Sequence, residues 1–286
     1  MKNQFTIGNK TISENHPCFI IAEAGVNHNG EIEKGLELVK VARDAGADAV
    51  KFQLFNAQEQ ISKHALNAPY QRKGSGKKTM LEMADSYDFA WENHKALADY
   101  ANELGIIYMS SCFDCKAVDF FINQLGGDCI KIGSGEITNY PLLKYISKTG
   151  FPIILSTGMC DLSDVDGAIN HIKLNGNSTI CLLHCVSSYP APVDEINIRS
   201  MLTLKEKFNL IVGYSDHTTN NTAAISAVAL GAKIIEKHFT LDNSLFGPDH
   251  AMSLNPIDLK NYVSQIRETE SIMGDGLKKP TSKEIE

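Results

Sequence analysis

The sequence predicts an α/β fold: a (β/α)8 TIM barrel with a short N-terminal β-hairpin. Segments rich in apolar and β-forming residues recur eight times, at 18–25, 49–55, 106–113, 129–135, 152–158, 179–189, 210–215 and 233–239. Each is followed by a stretch with helical spacing, and near-continuous apolar strands between helices indicate a parallel sheet. Eight such units in 286 residues match the size of a barrel. A doubly wound open sheet competes, but it needs no regular eightfold series.

The connections add two features to this barrel. The opening letters FTIGNKTIS, residues 5–13, predict the hairpin. Residues 56–87, between the second strand and its helix, are too long for an ordinary connection, and such loops on the catalytic face are often lids. No internal boundary is visible, so residues 1–286 are expected to form a single domain.

Composition narrows the class of protein. A net charge of −7 argues against binding to nucleic acid or acidic membranes, and no apolar run reaches transmembrane length. The seven cysteines lie mostly in strand-like runs, and an odd count there predicts reduced thiols and a cytoplasmic location. Cys112 and Cys115 form a C-x-x-C, but no second pair completes a zinc site.

Two histidines fall at the carboxyl ends of neighbouring predicted strands. Side chains alternate along a strand, so Ser215 shares a face with His217, and Glu236 shares one with His238. A single strand-end histidine is more often a hydrogen-bonded structural residue. The paired strings SDH and EKH, with GPDH close behind, instead predict a divalent metal site completed by water or substrate.

Two lysines lie in phase with this rim. Lys51 and Lys131 are either paired with Glu23 or Glu236, or they receive an anionic ligand. The ligand is favoured because the same strand ends carry several hydroxyl groups, which suit phosphate and carboxylate oxygens. A Schiff-base lysine is the alternative, although a neighbouring metal makes it redundant. Lys237 has the opposite phase and should face the helices.

Strings along nearly the whole predicted barrel resemble the sialic acid synthase family. They are IIAEAGVNHNG, AGADAVKFQLF, IKIGSGEITNYPLLK, PIILSTGM, LLHCVSSYPAP, VGYSDHT, EKHFT and GPDHAMSLNP, in this order. The resemblance implies condensation of phosphoenolpyruvate with an N-acylated amino sugar, typically N-acetylmannosamine. The products would be a nine-carbon 2-keto sugar acid and phosphate, and the cofactor would be Mn²⁺ or Mg²⁺.

The resemblance also assigns residues. It implies that His217 and His238 bind the metal, and that Glu23 and Glu136 are the acid–base candidates. The sugar would contact Gln53, Tyr189 and Asp249. Phosphoenolpyruvate would be held by two lysines and five serines: Lys51, Ser111, Lys131, Ser134, Ser156, Ser187 and Ser215. Ser187 and Ser111 stand where some members have Asn and Thr.

The family usually continues into a C-terminal antifreeze-like domain, which supplies an Arg to the partner subunit's site, and this sequence is expected to lack it. A homodimer is one arrangement that the resemblance allows. Within this sequence, Arg72 in the string RKGSGKK (72–78) is the expected replacement donor; otherwise a separate polypeptide would have to supply the Arg. Other acceptors stay open, namely those of legionaminic, pseudaminic or spore-coat sugar synthases. So do a 3-deoxy-octulosonate type of synthase, which takes a phosphorylated sugar, and a catalytically idle barrel that acts as a binding subunit.

Overall fold

A β-hairpin opens the fold. The computed structural model describes residues 4–68, 71–72 and 75–285. Strands β1 (Gln4–Ile7) and β2 (Lys10–Ser13) pair antiparallel. Gly8 turns the chain between them at a φ of +55°, where glycine carries no steric penalty, and its N–H donates to Asp128 at 2.6 Å. The predicted hairpin is confirmed.

Eight parallel strands then close into a barrel. They are β3 (Phe19–Gly25), β4 (Ala49–Leu54), β5 (Ile107–Cys112), β6 (Ile130–Ile132), β7 (Ile153–Ser156), β8 (Ile180–His184), β9 (Ile211–Asp216) and β10 (Ile234–His238). The strands follow chain order around the barrel, and β10 pairs with β3 to close it. The predicted (β/α)8 barrel is confirmed. Strands β6 and β8 end earlier than the apolar runs suggested, because glycines and serines lead the chain into turns there.

Within the described residues, eight helices cover the outside of the barrel: Ile32–Ala45, Trp91–Leu104, Cys115–Leu125, Tyr140–Ser147, Leu162–Leu174, Ser200–Phe208, Thr222–Ala229 and Pro256–Met273. Shorter α-helices span Ala57–Gln60, Met80–Asp85 and Ser282–Ile285, and 3-10 turns span Ser134–Glu136, Val193–Glu195 and His250–Met252. Side-chain caps fix several starts; Asp114, for example, accepts from Ala117 N at 2.7 Å. No helix in the described part of the chain is long and apolar enough to cross a bilayer.

The barrel interior changes character along its axis. Its lower part is a buried apolar cluster formed with the hairpin: Phe5, Ile7, Ile12, Phe19, Ile21, Ala49, Met109, Cys129, Ile154, Cys181, Leu183, Ile211 and Ile234. Continuing the same alternation by two residues, from Ile21 to Glu23 or from Ile234 to Glu236, reaches charged side chains. One end of the barrel is therefore sealed by apolar packing, and the carboxyl end holds polar groups.

The segment between β4 and the helix Trp91–Leu104 is ordered by its own contacts. Asn67 donates from its side chain to the carbonyls of Lys77 and Thr79, and a capping box joins Thr79 to Glu82. In the basic string 72–78, Lys73 and Gly74 lie outside the described residues. The exposed Arg72 donates from Nε to the carbonyl of Asn67 at 3.0 Å, which ties this side chain to its own loop.

Candidate active site

A belt of polar side chains lines the carboxyl end of the barrel, with one from each strand or the residue just after it. Its members are all buried: Glu23, Lys51, Ser111, Lys131, Ser156, Cys185, Ser215 and Glu236. The strand register accounts for this convergence, since Lys51 pairs with Glu23 across β3 and β4, and Glu236 pairs with Ser215 across β9 and β10. The structure thus brings together six of the assigned site residues and Glu236, which the sequence named as a possible partner of the lysines, and it adds Cys185.

Ion pairs connect the charged members of the belt. Lys51 Nζ lies 2.7 Å from Glu23 Oε2 and 3.5 Å from Glu236 Oε2, and it donates to Ser111 Oγ at 2.8 Å. Lys131 Nζ lies 3.7 Å from Glu236 Oε1 and donates to Ser156 Oγ at 2.8 Å. The two lysines are therefore paired with carboxylates, one of the two arrangements that the sequence left open. Their serine partners remain suited to the oxygens of an anion.

The two carboxyl groups of the belt differ in acidity. Burial raises the pKa of Glu23 to about 7, against the attraction of Lys51, and the neighbouring Glu236 raises it further. Burial also opposes ionisation of Glu236, but Lys131 and Lys51 outweigh it and hold the pKa of Glu236 below its ordinary value. Two carboxyl groups whose pKa values are pushed apart can take different roles. Glu236 stays ionised at neutral pH, and Glu23 exchanges a proton there.

Hydroxyl and thiol groups converge around Gly158, beyond the end of β7. Its N–H donates to Ser134 Oγ at 2.9 Å, and Ser134 Oγ lies 3.2 Å from Cys185 Sγ. A methyl group on Gly158 would lie 2.3 Å from Ser187 Oγ and would displace this hydroxyl. Sequence reasoning assigned Ser134 and Ser187 here but missed Cys185. Alternation along β8 could have identified Cys185, because Cys181 and Leu183 face the barrel interior and Cys185 is the next residue in that series.

The two histidines lie side by side at the ends of β9 and β10. Their ring centroids are 5.9 Å apart. Nδ1 of His217 lies 2.6 Å from the carbonyl of Val186, which only accepts, so Nδ1 carries the proton and Nε2 keeps its lone pair. Nδ1 of His238 is buried without a hydrogen-bond partner among the described residues. Burial lowers the pKa of both rings, so both are neutral, the form that binds metals.

This pair fits a divalent ion with an incomplete protein shell. The two rings are close enough neighbours for both to contribute to one site. A carbonyl that fixes the tautomer, as Val186 does for His217, is a usual outer partner of a metal-binding histidine. Within the described ranges no three His, Cys, Asp or Glu side chains converge as metal ligands. Water or substrate would have to complete the coordination.

The residues assigned to the sugar surround the histidines. The Tyr189 ring lies 4.1 Å from the ring of His217, and edge-on at 5.7 Å to that of His238. A methyl group at Gly25 would meet Glu23 Oε1 at 3.4 Å, Gln53 Nε2 at 3.5 Å and Asp249 Oδ2 at 3.7 Å, so these three polar groups converge. Burial raises the pKa of Asp249 to about 6.

A cavity of about 740 Å³ opens above these groups. Gln53, Glu136, Tyr189, His238 and Asp249 line it together with side chains of the long segment after β4. Glu136 is not in the belt. It stands on the 3-10 turn Ser134–Glu136, where Oε2 accepts from Asn139 Nδ2 at 2.7 Å. The two acid–base candidates therefore lie at different levels, Glu23 in the belt and Glu136 on the cavity wall.

Other polar residues near the strand ends have partners outside the belt and the histidine pair. His184 lies 2.7 Å through Nε2 from the carbonyl of Ile196. Lys237 points outward, with Nζ 3.3 Å from Asp216 Oδ2 and 5.8 Å from the centre of the Tyr262 ring, so its predicted phase is confirmed. Cys112 and Cys115 are free thiols.

Fold and site together define a (β/α)8-barrel protein with a buried charged belt, a histidine pair and a cavity at the carboxyl ends of its strands. The chain belongs to the NeuB family, whose sequence profile matches residues 38–278. It is 47% identical over 273 residues to the N,N'-diacetyllegionaminic acid synthase of Legionella pneumophila, covering 94% of this chain and 76% of that one. The enzyme of the same name from Campylobacter jejuni is 47% identical over 268 residues, 93% of this chain and 80% of that one.

A solved structure agrees along the whole chain. The N-acetylneuraminic acid (sialic acid) synthetase of Leptospira borgpetersenii superposes with a TM-score of 0.88 at 33% identity. The match covers 100% of this chain and 95% of that one. The resemblance to the sialic acid synthase family is confirmed.

Proposed function

We propose that this protein is a sugar-acid synthase that condenses phosphoenolpyruvate with an N-acylated amino sugar and releases phosphate. One observation carries the proposal: Ser215 Oγ donates to Glu236 Oε1 at 2.8 Å and lies 3.3 Å from His217 Nε2. The charged belt and the histidine pair are thereby one continuous site below the cavity. The relatives from Legionella pneumophila and Campylobacter jejuni are both named N,N'-diacetyllegionaminic acid synthase, and these names support a sugar-acid synthase activity.

Phosphoenolpyruvate would bind in the belt. Its phosphate and carboxylate need several cationic and hydroxyl partners. Lys51 and Lys131 offer the charge, and the hydroxyls stand beside them or around Gly158: Ser111, Ser134, Ser156, Ser187 and Ser215. The lysines are already paired with Glu23 and Glu236. The phosphate and carboxylate of phosphoenolpyruvate would therefore add negative charge beside Glu23 and increase the repulsion on its carboxylate. Proton uptake by Glu23, whose pKa is about 7, relieves it.

The proposed condensation needs proton transfers that carboxyl groups of this chain can perform. C3 of phosphoenolpyruvate bonds to the aldehyde carbon of the open-chain sugar, and the aldehyde oxygen takes a proton. Water adds at C2 and loses one proton, which balances the proton taken up by the aldehyde oxygen. The bond from C2 to the phosphate oxygen then breaks, the proton left on the added oxygen goes to the departing phosphate, and C2 becomes the ketone. Glu23 is placed to hold one of these protons, since an acid–base group works best with a pKa near the working pH. Glu136 faces the cavity and is the second candidate.

His217 and His238 would hold the divalent ion, Mn²⁺ or Mg²⁺. When bound there, the ion would make the aldehyde carbon more electrophilic by withdrawing charge from its oxygen. Tyr189 packs against both rings and limits their rotation, while Gln53 and Asp249 are placed to bind sugar hydroxyls or the amide.

The test is phosphate release from phosphoenolpyruvate with a panel of N-acylated amino sugars, in the presence of Mn²⁺. We expect release only when both substrates are present, with a nine-carbon 2-keto acid identified by mass spectrometry. A protein that binds phosphoenolpyruvate and releases no phosphate with any sugar would instead be the catalytically idle barrel.

A further inference from the structure

A buried ionic cluster lies behind the histidine pair, between the barrel wall and the helix Pro256–Met273. Its centre is Asp216 and Lys237, which are neighbours in the register of β9 and β10 and whose side chains are 0% and 1% exposed. Lys237 Nζ lies 3.3 Å from Asp216 Oδ2, and Tyr262 of the helix donates its hydroxyl to the same oxygen at 3.0 Å. Two strands and a helix therefore meet at one carboxylate.

The cluster also holds the residues on both sides of His217. Asp216 directly precedes this histidine, and its Oδ1 accepts from the backbone N–H of Thr218 at 2.9 Å and from the Thr218 hydroxyl at 2.8 Å. The carbonyl of Thr218 in turn accepts from Lys237 Nζ, and Lys237 directly precedes His238. One ammonium thus ties the turn that carries His217 to the strand that carries His238. Four residues form this Asp216 cluster: Asp216, Thr218, Lys237 and Tyr262.

The Asp216 cluster is a costly way to stabilise the interface between barrel and helix. Asp216 and Lys237 give up their hydration, and replacing a buried ion pair by well-packed apolar residues is often neutral or stabilising. The surrounding interface is packed by apolar side chains, including Ile235, Leu259 and Val263. A fully bonded polar network does fix the relative position of the elements that it joins. The cluster is therefore better suited to setting geometry than to adding stability.

The geometry that it sets is that of the two imidazoles. On the side of β8, the carbonyl of Val186 holds Nδ1 of His217 at 2.6 Å, and Ala191 N donates to the carbonyl of His217 at 2.8 Å. On the side of β10, the Asp216 cluster holds the backbone of the same turn. Without this second support the turn could shift, and the His217 ring could leave its place 5.9 Å from the ring of His238.

We infer that the Asp216 cluster is a positioning group, which holds His217 beside His238 so that both rings can bind one divalent ion. The cluster lies on the outer face of the strands and acts through the histidines. Loss of an outer partner of a metal-binding histidine typically lowers metal affinity about 10- to 100-fold. The inference rests on the metal-binding part of the proposed function, and a readout that needs no metal separates the two.

The experiment removes the ion pair without changing the net charge. In Asp216→Asn/Lys237→Met, the amide oxygen at 216 can still accept from Thr218, but the link from β10 to the turn is lost. Because one negative and one positive charge disappear together, the long-range attraction of a cation stays as it is. Tyr262→Phe is a milder variant, which keeps the ion pair and removes one donor to Asp216.

The matched control is Asp48→Asn/Arg267→Met. Arg267 stands on the same helix as Tyr262, and its Nη2 lies 2.6 Å from Asp48 Oδ2, just before β4 at the amino end of the barrel. The control therefore removes an equivalent ion pair far from the histidines. Denaturant unfolding checks that every variant is folded.

Two readouts are taken. Nitrogen-edited NMR of the metal-free protein follows exchange of the His217 Nδ1–H with water, which its bond to the carbonyl of Val186 slows. The variant His217→Asn assigns this signal. Calorimetry of chelator-treated protein with Mn²⁺ gives the metal affinity.

We expect Asp216→Asn/Lys237→Met to speed this exchange and to weaken Mn²⁺ binding, each by at least about tenfold. Tyr262→Phe should act in the same direction by at least about threefold, and the control should match the wild type. If the double variant does not fold, Tyr262→Phe decides by the same two readouts.

Unchanged exchange in the cluster variants, or an equal effect in the control, overturns the inference. So does an unchanged Mn²⁺ affinity in these variants when the wild type binds the ion. Faster exchange in the cluster variants alone, with no Mn²⁺ binding by the wild type, supports the positioning of His217 and refutes the metal-binding part of the proposed function.

Discussion

Lys51 Nζ and Glu23 Oε2 lie 2.7 Å apart inside the barrel, and neither side chain is more than 3% exposed. Glu23 and Glu236 raise the pKa of Lys51 despite its burial, so the ammonium stays charged. A buried pair of this kind adds little to stability by itself, but removing one partner leaves an uncompensated charge. The pair can therefore be separated experimentally into its structural part and its ligand-binding part.

Lys51→Met should weaken phosphoenolpyruvate binding at least about tenfold, because a charge-assisted hydrogen bond is worth about 1.5–3 kcal/mol. It should also lower the free energy of unfolding, since Glu23 loses its partner and takes up a proton instead. Calorimetry and denaturant unfolding measure the two effects. Adding Glu23→Gln to Lys51→Met should restore much of the stability and none of the affinity. Unchanged affinity in Lys51→Met would make the lysine purely structural.

Loss of either histidine ring should abolish Mn²⁺ binding. His217→Ala and His238→Ala each remove one of the two proposed protein ligands, and a single imidazole holds a divalent ion weakly. Titration of chelator-treated protein with Mn²⁺, followed by calorimetry, is the measurement. His184→Asn is the control, because His184 bonds the carbonyl of Ile196 and should leave binding intact. Equal Mn²⁺ affinity in all three variants would place the metal elsewhere.

Gly158→Ala should raise the dissociation constant for phosphoenolpyruvate by at least about tenfold. The added methyl would stand 2.3 Å from Ser187 Oγ and 2.9 Å from Ser134 Oγ, which pushes both hydroxyls out of position. Gly133→Ala is the matched control, since a methyl there meets no atom within 4 Å. If both variants bind phosphoenolpyruvate like the wild type, the hydroxyls around Gly158 do not contact it.

Stability should fall in acid because of buried neutral histidines. Burial lowers the pKa of His94 to about 3 from an ordinary 6.5, and its Nδ1 lies 2.8 Å from the Tyr108 hydroxyl. Between these values the unfolded chain binds a proton that the folded protein does not. Protonation of His94 therefore does not reduce the free energy of unfolding above pH 6.5. Below that value the free energy of unfolding falls by about 1.4 kcal/mol per pH unit, until the pH approaches 3.

Denaturant unfolding at pH 7, 6 and 5 should show this slope, and His94→Gln should flatten it by about that amount. The same change at His64, whose side chain is exposed, is the control and should leave the slope as it is. Identical slopes in the wild type and in His94→Gln would mean that His94 titrates normally in the folded protein.

The alternation of side chains along strands made most of the site predictable. It predicts that Lys51, Lys131, Ser215 and Glu236 lie on the inner face, and the belt confirms that placement. The choice among ion-pair partners was not predictable, because it depends on the register between neighbouring strands.

The apolar side of the cavity, where Val26, Met83 and Tyr87 pack together, was not predictable either. Met83 and Tyr87 come from a segment whose position relative to the barrel follows no strand or helix period. Their contact with Val26 depends on tertiary packing across more than fifty residues of chain. Glu136 was expected at the rim, but the early end of β6 raises it to the cavity wall.

Because the hairpin packs against the opposite end of the barrel, the residues that stabilise the fold there lie apart from the residues of the candidate site. Phe5, Ile7 and Ile12 fill the lower interior, whereas every group assigned to the reaction lies at the other mouth. Substitutions in the hairpin can therefore change thermal stability and leave acceptor selectivity as it is. Substitutions in the cavity wall can change the acceptor and leave the apolar packing at the opposite end intact. In directed evolution, the two ends are independent targets.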